Sequence, residues 1–276
     1  MQRTGTLWIV ATPIGNLEDW SARAQRVLRE VALIAAEDTR HSRPLLAHFG
    51  VTTPMTALHE HNERAAIDSM LARLRAGEDI ALISDAGTPL ISDPGYRLVR
   101  AARAAGIAVS AVPGACAAIA ALSIAGLPSD RFVFEGFLPA KTVARRARLR
   151  ELDNESRTLV FYESAHRVVE CCRDLCNAFG AQREAWLLRE LTKLYETAIG
   201  GTLGEIAARI ERDADQRRGE FVLVVAGAVE ESGGDKLAEG RRVYALLRTE
   251  LPPALAAKLA AAISGAPRKS LYEHGR

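Results

Sequence analysis

Between residues 6 and 113, short apolar runs alternate with stretches whose apolar residues recur at helical spacing. The runs at 7–11, 33–36, 55–58, 79–84 and 107–112 are short and mostly apolar, and they predict strands. The stretches between them, 21–31, 43–49, 63–76 and 96–105, predict helices, with Gly50, Gly77 and Gly106 as stop signals after three of them. Such alternation builds a parallel sheet through crossover connections, so the first part reads as a doubly wound α/β domain. Residues 114–126 are nearly all small and apolar and predict a tightly packed helix that bridges to a second domain. Beyond Pro128 the pattern changes: strands at 132–137, 158–162, 184–189 and 220–226 are separated by helices and longer polar loops, which makes a second α/β layer. An acidic, glycine-containing linker at 230–235 precedes helical patterns at 236–248 and 253–263. The expected organisation is an N-terminal parallel-sheet domain at 1–113, a second α/β domain at 114–230 and a basic helical tail at 231–276.

Composition adds limits. A chain of 276 residues that is 48% hydrophobic can fill two modest cores with a cleft between them. Lys and Arg total 36 against 34 Asp and Glu, so charge alone does not announce a polyanionic partner. Cys171, Cys172 and Cys176 fall in one helical pattern beside Val168, Val169, Leu175 and Phe179, which reads as core, with Cys172 and Cys176 on the apolar stripe. No CxxC pair or disulfide framework is visible. No apolar run approaches the roughly 20 residues that span a bilayer, and the N-terminus lacks the order of a signal peptide. The expectation is a cytoplasmic protein without membrane association.

Candidate chemistry gathers where predicted strands end. Residues 84–95, SDAGTPLISDPG, follow the fourth run, and a loop so rich in Gly, Pro, Ser and Asp at that place is a candidate ligand cradle. Its carboxylates, Asp85 and Asp93, argue against a purely phosphate ligand, while Asp93 before Pro94 is also a good helix start. Thr12-Pro13-Ile14-Gly15-Asn16 ends the first run and matches neither a dinucleotide nor a triphosphate fingerprint. Glu37-Asp38-Thr39-Arg40 and His59-Glu60-His61-Asn62-Glu63 end the second and third. Dense polar clusters at successive strand ends are expected of an active-site rim. His59 and His61 lack a third ligand at a characteristic spacing, so no metal is expected, and Asn62 doubles as a cap for the helix beginning at Glu63. Lys141, Arg145, Arg146, Arg148 and Arg150 share a predicted helix, and the tail adds Arg241, Arg242, Arg268 and Lys269. Such runs can supply phosphate contacts, although by charge alone they are more often a solvated face. Tyr162 in FYES and the RELTK sequence at 189–193 end strands of the second domain and would form the opposite wall of a cleft.

Taken in order, TPIGNLED at 12–19, EDTRHS at 37–42, HEHNE at 59–63, SDAGTPLISDPG, VPGACAA at 112–118 and RELTK resemble the ribosomal RNA methyltransferase branch of the tetrapyrrole methylase superfamily. The likeness runs from about residue 7 to 226, with a weaker match at about 268–273. It implies an S-adenosylmethionine-dependent homodimer that methylates the ribose 2′-oxygen of a cytidine in the decoding region of 16S ribosomal RNA. It also implies a cofactor held between the two α/β domains, with Pro13, Asp85, Thr88 and Pro89 in the first-domain cradle. Small residues Ala115 and Cys116 would let the backbone approach, and Tyr162 and Leu191 would hold the adenosine. Ala165 and Arg218 depart from the branch's usual proline and lysine and affect only the far wall. In-line methyl transfer needs positioning and a proton acceptor. Glu60 is the first candidate, with His59 or a water relay as the alternative and Glu63 nearby; Asn62 and Arg40 would orient the nucleotide. Lys141, Arg145, Arg146 and Arg148 are the expected RNA contacts. Asp85 should face the positively charged cofactor and Asp93 should cap the next helix. A tetrapyrrole methyltransferase and a non-catalytic RNA-binding protein remain as alternatives.

Overall fold

Leu33–Ala36 and Ile80–Ile83 are buried at every position, as strands covered on both faces must be. The computed structural model describes residues 4–58, 63–229 and 234–272. In it β1 (Thr6–Val10), β2 (Leu33–Ala36), β3 (Met55–Ala57), β4 (Ile80–Ile83) and β5 (Ala108–Val112) form a parallel sheet in the order β3-β2-β4-β1-β5. The two-residue period of a strand sorts its side chains. Ala81 and Ile83 of β4 join Val27, Leu28 and Leu46, from α1 (Ala22–Glu30) and α2 (Thr39–His48). Ile80 and Leu82 join Met70, Leu74 and Leu98 on the other face, under α3 (Glu63–Arg75) and α4 (Tyr96–Ala104). The connection leaving β1 therefore covers one face and that leaving its neighbour β4 the other. Their loops part at the carboxyl edge and leave a crevice.

A second sheet has the order β6-β7-β10-β8-β9, from β6 (Phe132–Phe137), β7 (Thr158–Ser164), β8 (Glu184–Arg189), β9 (Thr197–Thr202) and β10 (Glu220–Val225). Only β6 and β7 pair in parallel; the other pairs are antiparallel. One face carries α5 (Ala117–Ala125), whose Ala118, Ala121 and Leu122 pack on Val160, Leu188 and Val222. The other face is covered by α6 (Thr142–Glu151), α7 (Val168–Phe179) and α8 (Leu203–Arg212). Cys171 and Cys172 are fully buried in that layer and Cys176 packs at its margin, so the buried pair is 171 and 172.

Two elements depart from the sequence pattern. Strand β9 was not anticipated, because TAIGGT buries only Ile199 and carries two glycines. Helix α2 starts at Thr39 rather than 43, since the Asp38 side chain accepts a hydrogen bond from the Arg40 amide at 2.8 Å and caps it early.

The chain divides into compact units at Met1–Ala228 and Val229–Arg276, and both sheets belong to the first. The second unit holds α9 (Gly234–Leu247), α10 (Pro253–Ser264) and the short α11 (Arg268–Tyr272) around Val243, Tyr244, Ala256, Ala260 and Leu271. Among the described residues no helix is long and apolar enough to cross a membrane.

Candidate active site between the two sheets

The loops leaving β1, β2, β4 and β5 are stitched together by short hydrogen bonds. Thr12 and Gly87 exchange backbone bonds of 2.9 and 3.1 Å, which ties the β1 loop to the β4 loop. Thr88 Oγ1 donates to the Ala115 carbonyl at 2.9 Å, adding the segment after β5. The Asp38 amide donates to Asp85 Oδ1 at 3.2 Å, adding the segment after β2. Contacts also run across to the second sheet. The Asn16 amide donates to Thr192 Oγ1 at 3.2 Å, and Gly15 lies so close to the Lys193 stem that a β-carbon there would collide with it. A β-carbon on Gly136 would sit 2.8 Å from Ser92 Oγ.

Among the described residues, every non-glycine with positive φ lies in these facing loops: Leu90 and Ser92 on one side, Glu190 and Thr192 on the other. Backbone strain of this kind persists only where surrounding contacts over-determine it, and it concentrates at functional sites.

The loops enclose a cavity of about 320 Å³. Asp85, Gly87, Thr88 and Asp93 wall the first side, and Cys116, Tyr162, Leu188, Leu191 and Val222 the second. Tyr162 is locked: its hydroxyl accepts the Ala118 amide at the start of α5 at 3.0 Å, and its ring meets Phe134 and Phe137 edge-on at 5.0 and 5.7 Å. Burial first, then the nearby Cys116, push the Tyr162 phenol up, so it stays protonated at neutral pH.

Charge in the cavity is mostly negative. Lys193 is a wall residue, but Glu190 at 2.9 Å and Glu220 at 2.7 Å neutralise its Nζ. Glu163 pairs with Arg167 at 3.2 Å. Glu37, Asp85 and Asp93 also line the cavity, and no ion pair among the described residues engages any of them. Burial raises the Asp93 carboxyl to about 6; a Ser84 hydrogen bond opposes this, and the fields of Glu37 and Asp85 add to it. Burial also raises Glu37, with Asp85 as the next cause.

Of the residues expected at the site, Asp85, Thr88, Cys116, Tyr162 and Leu191 line the cavity together. Pro13, Pro89 and Ala115 lie beside these residues in the chain but outside the cavity wall. Asp93 requires a correction. Helix α4 is preceded by Gly95 and has no side-chain cap, and Asp93 turns instead into the cavity. Glu37, expected only as part of the polar rim after the second run, is a wall residue of the cavity, placed there at the end of a fully buried strand. His59, Glu60 and Asn62 lie outside the described residues, and Glu63 opens α3.

The RNA contacts also need revision. Arg145 is 1% exposed, with Nε on Asp174 at 2.7 Å and Nη2 on Glu170 at 3.2 Å, so it clamps α6 to α7 and is closed to a polyanion. Arg146 takes the other Asp174 oxygen at 2.7 Å, and Arg148 forks onto Glu135 and reaches Glu151. Lys141 remains exposed ahead of α6, and Arg40 is exposed with its guanidinium on Asp38. Among the described residues no cluster of His, Cys, Asp and Glu is placed to hold a metal ion.

Residues 6–207 match the family model of tetrapyrrole (corrin/porphyrin) methylases. The chain belongs to the tetrapyrrole methylase family. Within that family it is 60% identical over 272 residues to ribosomal RNA small subunit methyltransferase I of Xylella fastidiosa strain Temecula1, covering 99% of each chain. It is 57% identical to the Pseudomonas aeruginosa protein of the same name, covering 98% of this chain and 96% of that one. Residues 235–275 match a second model, the RsmI C-terminal HTH domain. Among solved tetrapyrrole methylase folds, uroporphyrin-III C-methyltransferase from Thermus thermophilus, complexed with S-adenyl homocysteine, aligns with a TM-score of 0.55 at 18% identity. It covers 80% of this chain and 97% of that one.

Proposed function

We propose that this protein is an S-adenosylmethionine-dependent methyltransferase that modifies the ribose 2′-oxygen of a cytidine in the decoding region of 16S ribosomal RNA. The observation that carries this reading is the 60% identity, over 99% of both chains, to a relative named for ribosomal RNA methylation. The cavity supports it chemically: apolar plates at Ile14, Leu188, Leu191 and Val222 suit an adenosine, and Glu37, Asp85 and Asp93 suit a cation. S-adenosylmethionine supplies an electrophilic methyl carbon on a positively charged sulfur. In this reading Asp85, Thr88, Cys116, Tyr162 and Leu191 hold the donor, with Pro13, Pro89 and Ala115 backing them. Glu60 accepts the proton that the ribose hydroxyl loses, with His59 as the alternative; Asn62, Glu63 and Arg40 orient the nucleotide. Lys141, Arg146 and Arg148 meet RNA from the second domain.

The protein acts as a homodimer in the cytoplasm on the small ribosomal subunit. Incubation with methyl-labelled donor and small subunits lacking the modification, naked 16S RNA or a corrinoid precursor tests the assignment. Label is expected in one RNA nucleotide, at a backbone linkage that becomes resistant to alkali. Label in the corrinoid alone would overturn it.

A further inference from the structure

The wall carboxylates have a distribution that holding an adenosine does not require. Glu163 and Glu220 on the second-domain side are matched by Arg167 and Lys193. Glu37, Asp85 and Asp93, at the ends of β2 and β4 and in the loop after β4, face the same space without an ion-pair partner among the described residues. They sit close enough to feel one another: Asp93 lies in the fields of Glu37 and Asp85, and Glu37 in that of Asp85. His41 acts on Glu37 from α2, together with Asp38. From the second domain, the Tyr162 phenol, kept protonated by its burial, faces the cavity within the field of Asp93, and Cys116 lines the same space.

We propose that Glu37, Asp85 and Asp93 act as a charge sensor that favours the sulfonium of the methyl donor over the neutral thioether left after transfer. The inference rests on the donor reading above. In the transfer the methyl carbon bonds to the ribose oxygen, and the carbon–sulfur electron pair stays on sulfur. The sulfonium becomes a thioether, and the hydroxyl proton passes to the acceptor. The three carboxylates thus lose the donor's positive charge at the moment the reaction completes, and the coproduct is held less tightly than the donor.

A buried carboxyl crowded by like charges, as Asp93 is, holds its proton to a higher pH than an exposed one, and an arriving cation expels it. A carboxyl at about 6, as for Asp93, makes that exchange visible near pH 6. The sign follows: a cation lowers the carboxyl's value, so donor binding releases protons and donor affinity rises with pH through about 6. Thioether binding should show little of either.

Calorimetric titration of the full-length protein with S-adenosylmethionine and with S-adenosylhomocysteine, at pH 6 in buffers of different ionisation heat, counts the protons without any turnover. More protons should be released by the donor than by the thioether. The donor's advantage in affinity should fall by about tenfold between pH 7.5 and pH 5, as expected for a carboxyl facing one opposite charge. Both differences should shrink in Asp93→Asn, or in Glu37→Gln if Asp93→Asn does not fold. Equal proton counts, a preference unchanged by pH, or full persistence in both variants would overturn the sensor while leaving the donor site intact. Binding of neither ligand would remove the donor reading, and the sensor with it.

Discussion

Asp93 shows how far a residue's role depends on what lies beyond its neighbours in sequence. Asp followed by Pro is a local signal for a helix start, yet α4 is preceded by Gly95 and the carboxylate turns into the cavity. Burial there raises it to about 6. A group whose value is higher folded than unfolded contributes stability that is complete below its ordinary value near 3.8 and is lost as pH rises through about 6. Ionised Asp93 therefore destabilises the ligand-free fold at neutral pH. Asp93→Asn should raise the ligand-free Tm by a few degrees at pH 7.5 and change it little at pH 4, readable by scanning calorimetry. Asp85 was legible because it ends a strand, and a carboxylate at a parallel strand's carboxyl edge already implies a ligand. Tyr162 was legible as an aromatic ring with a polar tip where the apolar run of β7 gives way to polar residues, although its bond to the Ala118 amide was not.

At the scale of elements, the apolar runs marked strands wherever burial covers both faces, as in β2 and β4. They failed at β9, which is held by its register with β8, from Glu184–Thr202 to Arg189–Thr197, rather than by its own composition. The basic stretch of α6 was ambiguous in sequence because charge does not say which way a side chain points. Packing against α7 decided it: Arg145 and Arg146 grip the two oxygens of Asp174, which is 3% exposed. Removing one partner of a buried pair leaves the other charge uncompensated, so Asp174→Ala should cost about 3 kcal/mol in denaturant unfolding. Those arginines hold the Asp174 carboxyl below its ordinary value against the opposing effect of burial. Its contribution should therefore be present at neutral pH and lost as pH falls through that depressed value.

At the scale of the whole molecule, the first unit contains both sheets and the cavity, and the second has its own core around Tyr244, Ala256 and Leu271. A chain ending at Ala228 should unfold within a few degrees of the full-length protein and keep its affinity for S-adenosylmethionine, as shown by calorimetry and titration. Loss of donor binding in a folded truncated chain would contradict this. The sequence by itself determined the two α/β layers, most strands and the loops that meet at the cavity. Period and turn chemistry are local, and a strand's end is visible where apolar residues give way to small polar ones. Only the tertiary structure decided which charges have no ion-pair partner among the described residues. Arg145 and Lys193 are spent on carboxylates from other elements, while Glu37, Asp85 and Asp93 come together from separate segments and face one cavity. Electrostatic environment is set by distance in space and by burial, and neither is encoded in the spacing of residues along a chain.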